Sequence, residues 1–168
     1  MLNHNDTWNL DPSHSTVGFV VRHAGISKVR GEFTDVEARI NGREVTATAQ
    51  AASFDSGNAD RDAHVKGADF FDVENYPTVD FTGRLDGENK LVGTLTIKGV
   101  SQEVTFELDE AGTATDPFGA QRFGAEASTV ISRKDFGLTW NAALETGGVL
   151  VSDKVTINLD VSFIKADA

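Results

Sequence analysis

"STVGFVVRH", residues 15–23, places Val17, Phe19 and Val21 on one face of an extended chain and Thr16, Gly18 and Arg22 on the other. Alternation at period two is the pattern of a half-buried strand. The same period recurs along the chain. In "KVRGEFTDVEARI", Val29, Gly31 and Phe33 share a face, and a change of parity then carries the apolar set on through Val36, Ala38 and Ile40. A bulge near Thr34 and Asp35 accounts for the switch. After the turn "NGRE", a strand over Val45–Phe54 alternates Val45, Ala47, Ala49 and Ala51 with polar residues. Val79, Phe81, Gly83 and Leu85 form another face, and Leu91, Gly93, Leu95 and Ile97 follow the turn "DGEN". Val104, Phe106 and Leu108, a strand around Phe123–Ile131, and a last run of Val155, Ile157, Leu159, Val161 and Phe163 bring the number to about eight.

One helix interrupts them, at about residues 59–67, between the third and fourth strands. Asn58 stands where a cap belongs, Asp60 and Asp62 lie in the first turn, and Lys66 followed by Gly67 marks the end. That charge order suits a helix dipole. Antiparallel strands on short hairpins must hide their edges, in a closed barrel or a two-sheet sandwich. Several runs reach about nine residues, about 30 Å at 3.3 Å per residue, and such length favours the barrel. The apolar faces are rich in small residues: Gly31, Ala47, Ala49, Ala51, Gly83 and Gly93. Pointing inward, they leave an apolar lumen; alternatively, they only ease curvature and packing.

The 168 residues fit one domain, residues 1–168. Fifteen Lys and Arg against 26 Asp and Glu give a formal charge of -11, a field that repels phosphate backbones, so no nucleic-acid partner is expected. The absence of cysteine removes disulfides, thiolate metal sites and thiol nucleophiles together. "MLNHNDTWNLD" has neither a basic n-region nor an apolar h-region, and no apolar run approaches the roughly 18 residues of a membrane span. A cytoplasmic protein with no membrane span is the expectation.

Chemistry finds little purchase. "DRDAH" spaces Asp60, Asp62 and His64 at i, i+2 and i+4, and residues two apart do not share a helix face. Of the four histidines, His14 and His23 stand at opposite ends of one run, too far apart to share an ion. No metal site and no cofactor are expected. No nucleophile elbow, phosphate-cradling glycine loop or distinguished carboxylate pair is present, and no catalytic residue is assigned. What stands out is charge beside aromatics. Arg61, Asp62 and Asp69 precede Phe70 and Phe71, and Arg133 and Asp135 precede Phe136. Such groups lock a loop or helix to a barrel rim; the alternative is that a rim arginine or His23 meets the polar head of an apolar guest.

Five fragments, "WNLDPSHSTVGFVVRH", "GEF", "RDAHVKGADFFDVENYPTVDF", "GTLTIKGVSQEV" and "ISRKDFGLTWN", resemble in order and spacing the YceI-like domain family, the polyisoprenoid-binding, lipocalin-like proteins of bacteria. The patterns R-D-x-H-x-x-x-x-D-F-F and R-x-D-F-G are the specific part. The resemblance implies an all-β, eight-stranded antiparallel lipocalin-like barrel, with the helix closing over it. Its lumen would hold a long apolar amphiphile: an isoprenoid quinone, a polyprenyl chain or a fatty-acid-like lipid. On that reading Phe70 and Phe71 turn inward, and the charges around them fasten a lid. Many relatives begin with a secretory signal peptide, which this sequence does not show, and Ser101 stands where threonine is common.

The expected lumen residues are Val17, Phe19, Val21, Phe33, Phe81, Leu95, Ile97, Phe106, Ile157, Leu159 and Val161, with Phe70, Phe71, Phe136 and Trp140 near the openings. His23, Arg61, Asp62 and Arg133 are the expected polar rim. The function that follows is binding, with carriage or sequestration of the lipid. The alternative is an enzyme acting on an isoprenoid-like molecule through those rim residues. An exposed edge between the first and last strands would allow pairing into a homodimer, which the resemblance makes reasonable.

Overall fold

The computed structural model describes residues 6–23, 27–139 and 151–166. Eleven strand segments build one antiparallel sheet: β1 (Thr7–Leu10), β2 (Thr16–His23), β3 (Ser27–Phe33), β4 (Val36–Asn41), β5 (Glu44–Gln50), β6 (Phe54–Asp55), β7 (Thr78–Asp86), β8 (Lys90–Ile97), β9 (Val100–Thr115), β10 (Gln121–Ser132) and β11 (Val151–Lys165). Two of the eight expected strands are broken once each, and β1, which the sequence pattern did not announce, precedes the first of the eight. A 3-10 turn at Pro12–His14 separates β1 from β2, residues 34 and 35 separate β3 from β4 at the expected change of parity, and a 3-10 turn at Ala51–Ser53 separates β5 from β6.

The sheet closes because β1 pairs with both β4 and β11, joining β1, β4, β5, β7, β8, β9, β10 and β11 into a ring of eight. Beyond the 3-10 turn, β2 continues along β11, β3 along β2, and β6 along the end of β3. The expected free edge between the first and last strands is therefore absent from the described residues. Leu10 pairs with Phe163 and Val17 with Leu159, so the first strand covers the last along most of its length.

At the other end the third strand stops after Asp55, and the fourth begins only at Thr78. The helix α1 (Ala59–Lys66) occupies the intervening chain. Asn58 caps it by accepting the Arg61 N–H (3.0 Å). Gly67 ends it, but with φ -77° rather than in the left-handed conformation usual after a helix. The chain turns instead through Asp72 (φ 48°), whose carboxylate accepts from the Asn75 side chain. Between β8 and β9, Lys98 and Gly99 both take positive φ, as a tight two-residue hairpin requires. Among the described residues no helix is long and apolar enough to cross a membrane.

A polar clamp ties the opposite end together. Arg122 donates to Asp11 (2.8 Å) and to Asp116 (2.8 Å), joining the β9–β10 hairpin to the break between β1 and β2. Arg122 holds the Asp11 carboxyl well below the ordinary aspartate range, helped by Ser13 and His14 against the opposing effect of burial. The same guanidinium lowers Asp116. Both carboxylates are easier to ionise folded than unfolded, so their contribution to stability is complete above about pH 4 and is lost as the pH falls below it. Asp11→Asn should lower the urea midpoint at pH 7 and flatten its decline between pH 5 and 3. A decline as steep as that of the parent protein would show that the clamp does not govern acid stability.

Candidate functional site: the barrel cavity

Inward-facing side chains divide by size along the barrel axis. At the end bearing the Arg122 clamp, Phe123 packs against Phe163 (6.5 Å between ring centroids), and Trp8 lies behind Phe123 (6.1 Å). These rings make a solid floor, and Phe81, paired with Ala47 across β5 and β7, meets Phe106 edge to face (5.7 Å) in the wall. Above the floor the walls are thinner, with Ala38, Ala47, Ala49, Ala125 and Ala127 facing inward. The result is a cavity of about 640 Å3.

Val17, Phe19 and Val21 on β2 and Phe33 on β3 line this cavity. So do Phe81 on β7, Leu95 and Ile97 on β8, and Phe106 on β9. Ile157, Leu159 and Val161 line it from β11, and Phe70 and Phe71 close over it. Phe136 does not line it. It ends the 3-10 turn Arg133–Phe136, where Gly137 (φ 75°) donates to the carbonyls of Arg133 and Lys134, and that turn folds the ring into the core at 1% exposure. Trp140 and the His23 side chain lie outside the described residues. Sequence reasoning left the β10 wall, Phe123, Ala125, Ala127 and Ile131, without an assigned face, although its period of two was there to read.

The glycines act differently from the alanines. A Cβ on Gly31 would lie 2.6 Å from the Phe19 ring. Gly83 and Gly93 face each other across β7 and β8, and a Cβ on either would stand within 2.8 Å of the Phe81 ring. These glycines seat aromatic rings against bare backbone, whereas the alanines leave space.

The lid is fastened from both sides of Ser56. Arg61 donates to the Ser56 Oγ (2.8 Å) and carbonyl (2.9 Å), and the Asp62 carboxylate accepts from the Ser56 N–H (3.0 Å) and its hydroxyl. Arg61 lines the cavity; Asp62 does not. Lys98 reaches from the β8–β9 turn to the Ala68 carbonyl (3.0 Å). Phe71 completes an aromatic cluster with Phe33 (5.7 Å) and Phe54 (5.9 Å), and Phe54 stacks on Phe19 (5.1 Å). This cluster covers the place where β6 stops.

Arg133 is 5% exposed, donates to the carbonyls of Ser152 (2.8 Å) and Leu138 (2.8 Å), and sits 5.9 Å from the Phe70 ring centre. Burial pushes its guanidinium below the ordinary arginine value, with Asp153 opposing the shift. Ser132 and the Lys134 N–H in turn hold Asp153 low. His64 pairs with Asp69 (3.0 Å) and lies edge-on to Phe70 (5.3 Å). Asp80 accepts from Thr48 (2.9 Å) and Thr78 (2.8 Å). Among the described residues, the ionisable side chains lining the cavity are Asp60, Arg61, His64, Asp80 and Arg133, with Arg22 reaching its edge from the outer face of β2, and all belong to the lid end.

A closed antiparallel barrel of eight strands, hollow above an aromatic floor and capped by a short helix, defines a lipocalin-like architecture. Residues 8–163 match the YceI-like domain, and the chain belongs to that family. A UPF0312 protein of Staphylococcus aureus (strain N315) is 34% identical over 164 residues, covering 93% of this chain and 96% of its own. Among solved structures, the Campylobacter jejuni YCEI protein is similar at 30% identity with a TM-score of 0.74, over 87% of this chain and 90% of that one. BcnA of Burkholderia cenocepacia is similar at 26% identity and a TM-score of 0.75, over 91% and 98%. A domain from Saccharophagus degradans, described as polyisoprenoid-binding and implicated in plant cell wall breakdown, shares the fold at 17% identity, with a TM-score of 0.75 over 95% and 98%.

Proposed function

We propose that this protein takes a long-chain amphiphile into the barrel tail first and holds it away from water, as a carrier or store. The observation that carries the reading is the division of the lining: apolar walls and floor below, with the ionisable lining residues, among those described, at the lid. An isoprenoid quinone, a polyprenyl chain or a fatty-acid-like lipid has that same polarity. Burying several hundred Å2 of tail at about 25 cal/mol per Å2 provides roughly 10 kcal/mol before ordering costs, so no single polar contact needs to dominate. The description of the Saccharophagus degradans domain points the same way.

Binding without conversion is favoured over catalysis by what the lid charges already do. Arg61 and Arg133 are engaged with backbone carbonyls, and Asp80 with two threonines. These are the contacts of groups that hold a lid in place. A bound lipid should accordingly be recovered chemically unchanged after long incubation. Ala49→Phe puts a ring into the cavity from a wall position that is 7% exposed. Titration with farnesol, followed by native mass spectrometry, should show binding at least tenfold weaker while the melting temperature stays within a few degrees. Undiminished affinity in both Ala49→Phe and Ala127→Phe would remove the cavity as the binding site.

The outer face of β2, β3, β9, β10 and β11 supports a second copy of the chain as partner. Arg22, Lys28, Arg30 and Lys154 form a basic band toward the lid, and Glu32, Glu107, Asp109, Glu126 and Asp160 an acidic band toward the floor, with Asp55 on β6 beside Glu32. Register sets the uncharged Val20 and Thr156, then Gly18, Asn158 and Ser128, between the bands, the first row ending on Arg30 and the second flanked by Glu32 and Glu107. A two-fold axis through that neutral strip lays each band on its opposite, which is the self-complementarity of an isologous dimer. In sedimentation equilibrium, Arg30→Glu should dissociate such a dimer, and adding Glu126→Arg should restore it. A monomeric parent protein at tens of micromolar would contradict the pairing.

A further inference from the structure

Resting on the amphiphile reading, we infer that residues 58–76 form a gate, hinged at Gly57 and latched by Lys98, which sets the rate at which lipid enters and leaves. The segment is bonded to itself as one body. After α1 the chain folds back on the end of the helix, where Phe71 donates to the Val65 carbonyl (3.0 Å), Val73 to that of Lys66 (3.0 Å) and Asp72 to that of Gly67 (2.8 Å). Tyr76 then donates to the Asp72 carbonyl (2.8 Å). One face of this body presents Val65, Phe70 and Phe71 to the cavity. Because α1 buries no residue fully, lifting the body exposes little apolar surface beyond those two rings.

Gly57 joins the body to the end of β6 in a left-handed conformation (φ 80°), and apart from its chain neighbours no atom lies within 4 Å of where its Cβ would stand. Such a residue turns with little steric resistance. The Ser56 bonds cross it. Ser56 stands on the barrel side and Arg61 and Asp62 on the helix side, so their hydrogen bonds fix the angle of the closed hinge. Across the mouth, Lys98 in the β8–β9 turn donates to the Ala68 carbonyl (3.0 Å), between the helix and the two rings. This bond is exposed, so water replaces it at little cost when the gate lifts. The far end of the body stays with the barrel: Tyr76 lies against Gly99, where a Cβ would stand 2.8 Å from its ring, and Ala51 donates to the Pro77 carbonyl (2.9 Å). At the opposite end of the barrel, entry would require parting Phe123 and Phe163, 2% and 5% exposed, and breaking the Arg122 clamp. Lifting the gate leaves the sheet intact, as lids over enclosed sites do.

The chain has no cysteine, so a reversible lock can be placed at the latch alone. In a protein carrying Ala68→Cys and Lys98→Cys, propanediyl bismethanethiosulfonate bridges the two thiols, and dithiothreitol removes the bridge. Stopped-flow uptake of cis-parinaric acid, whose fluorescence rises in an apolar cavity, should be at least tenfold slower with the bridge and return to the parent rate or above once it is reduced. Release to excess phosphatidylcholine vesicles, from protein loaded before bridging, should slow to the same degree. Lys98→Ala, which needs no bridge, should act in the opposite direction. Uptake and release should both quicken by about two- to tenfold, the net worth of one hydrogen bond, while affinity stays within about twofold. Equal rates in bridged and reduced protein, or unchanged rates in Lys98→Ala, would show the gate to be wrong and leave the amphiphile reading standing. If neither parinaric acid nor farnesol binds the parent protein, both fall.

Discussion

Closing eight strands into one sheet turns alternate side chains of every strand inward, and the interior that results is either filled or hollow according to their size. Near the Arg122 clamp the inward residues are Trp8, Phe123 and Phe163, and the barrel is solid. Halfway up, Ala38, Ala47, Ala49, Ala125 and Ala127 take the corresponding positions, and among the described residues no side chain spans the gap. The cavity is thus the consequence of five short side chains on three strands, set above a layer of rings.

The lid answers the problem that this hollow creates. Where β6 stops, the sheet loses a neighbour, and the interior would be open to water. The Phe19–Phe33–Phe54–Phe71 cluster closes that side with apolar surface, while Arg61 and Asp62 pin the start of α1 to Ser56. The helix itself buries no residue fully, so its attachment rests on hydrogen bonds and on the aromatic pair that follows it. Such an element is the part of the barrel that opens at least cost, which suits an entry route for a ligand.

Much of this was readable from period two alone. The alternation in residues 15–23 and 155–163 assigned both inward faces correctly, since a strand with one buried face leaves no freedom of register. The parity change at Thr34 and Asp35 located a real break, and Asn58 located the start of the helix. What local pattern cannot carry is the partner across the sheet. Gly31, Gly83 and Gly93 read as candidate empty space, but the rings that cover them belong to Phe19 and Phe81, and in two of the three cases the ring comes from or reaches a neighbouring strand. Phe136 lies in a 3-10 turn, where no period announces which way a side chain points. The free edge expected at the first strand disappeared because ring closure is a property of the whole sheet.

The central claim is that the barrel is built to hold an apolar chain. Native mass spectrometry of freshly purified protein, followed by denaturation and organic extraction, tests it most directly. The account predicts a discrete adduct of a few hundred daltons that extracts into organic solvent with its structure intact. Protein that emerges without an adduct and also refuses added farnesol, geranylgeraniol and palmitate would contradict it.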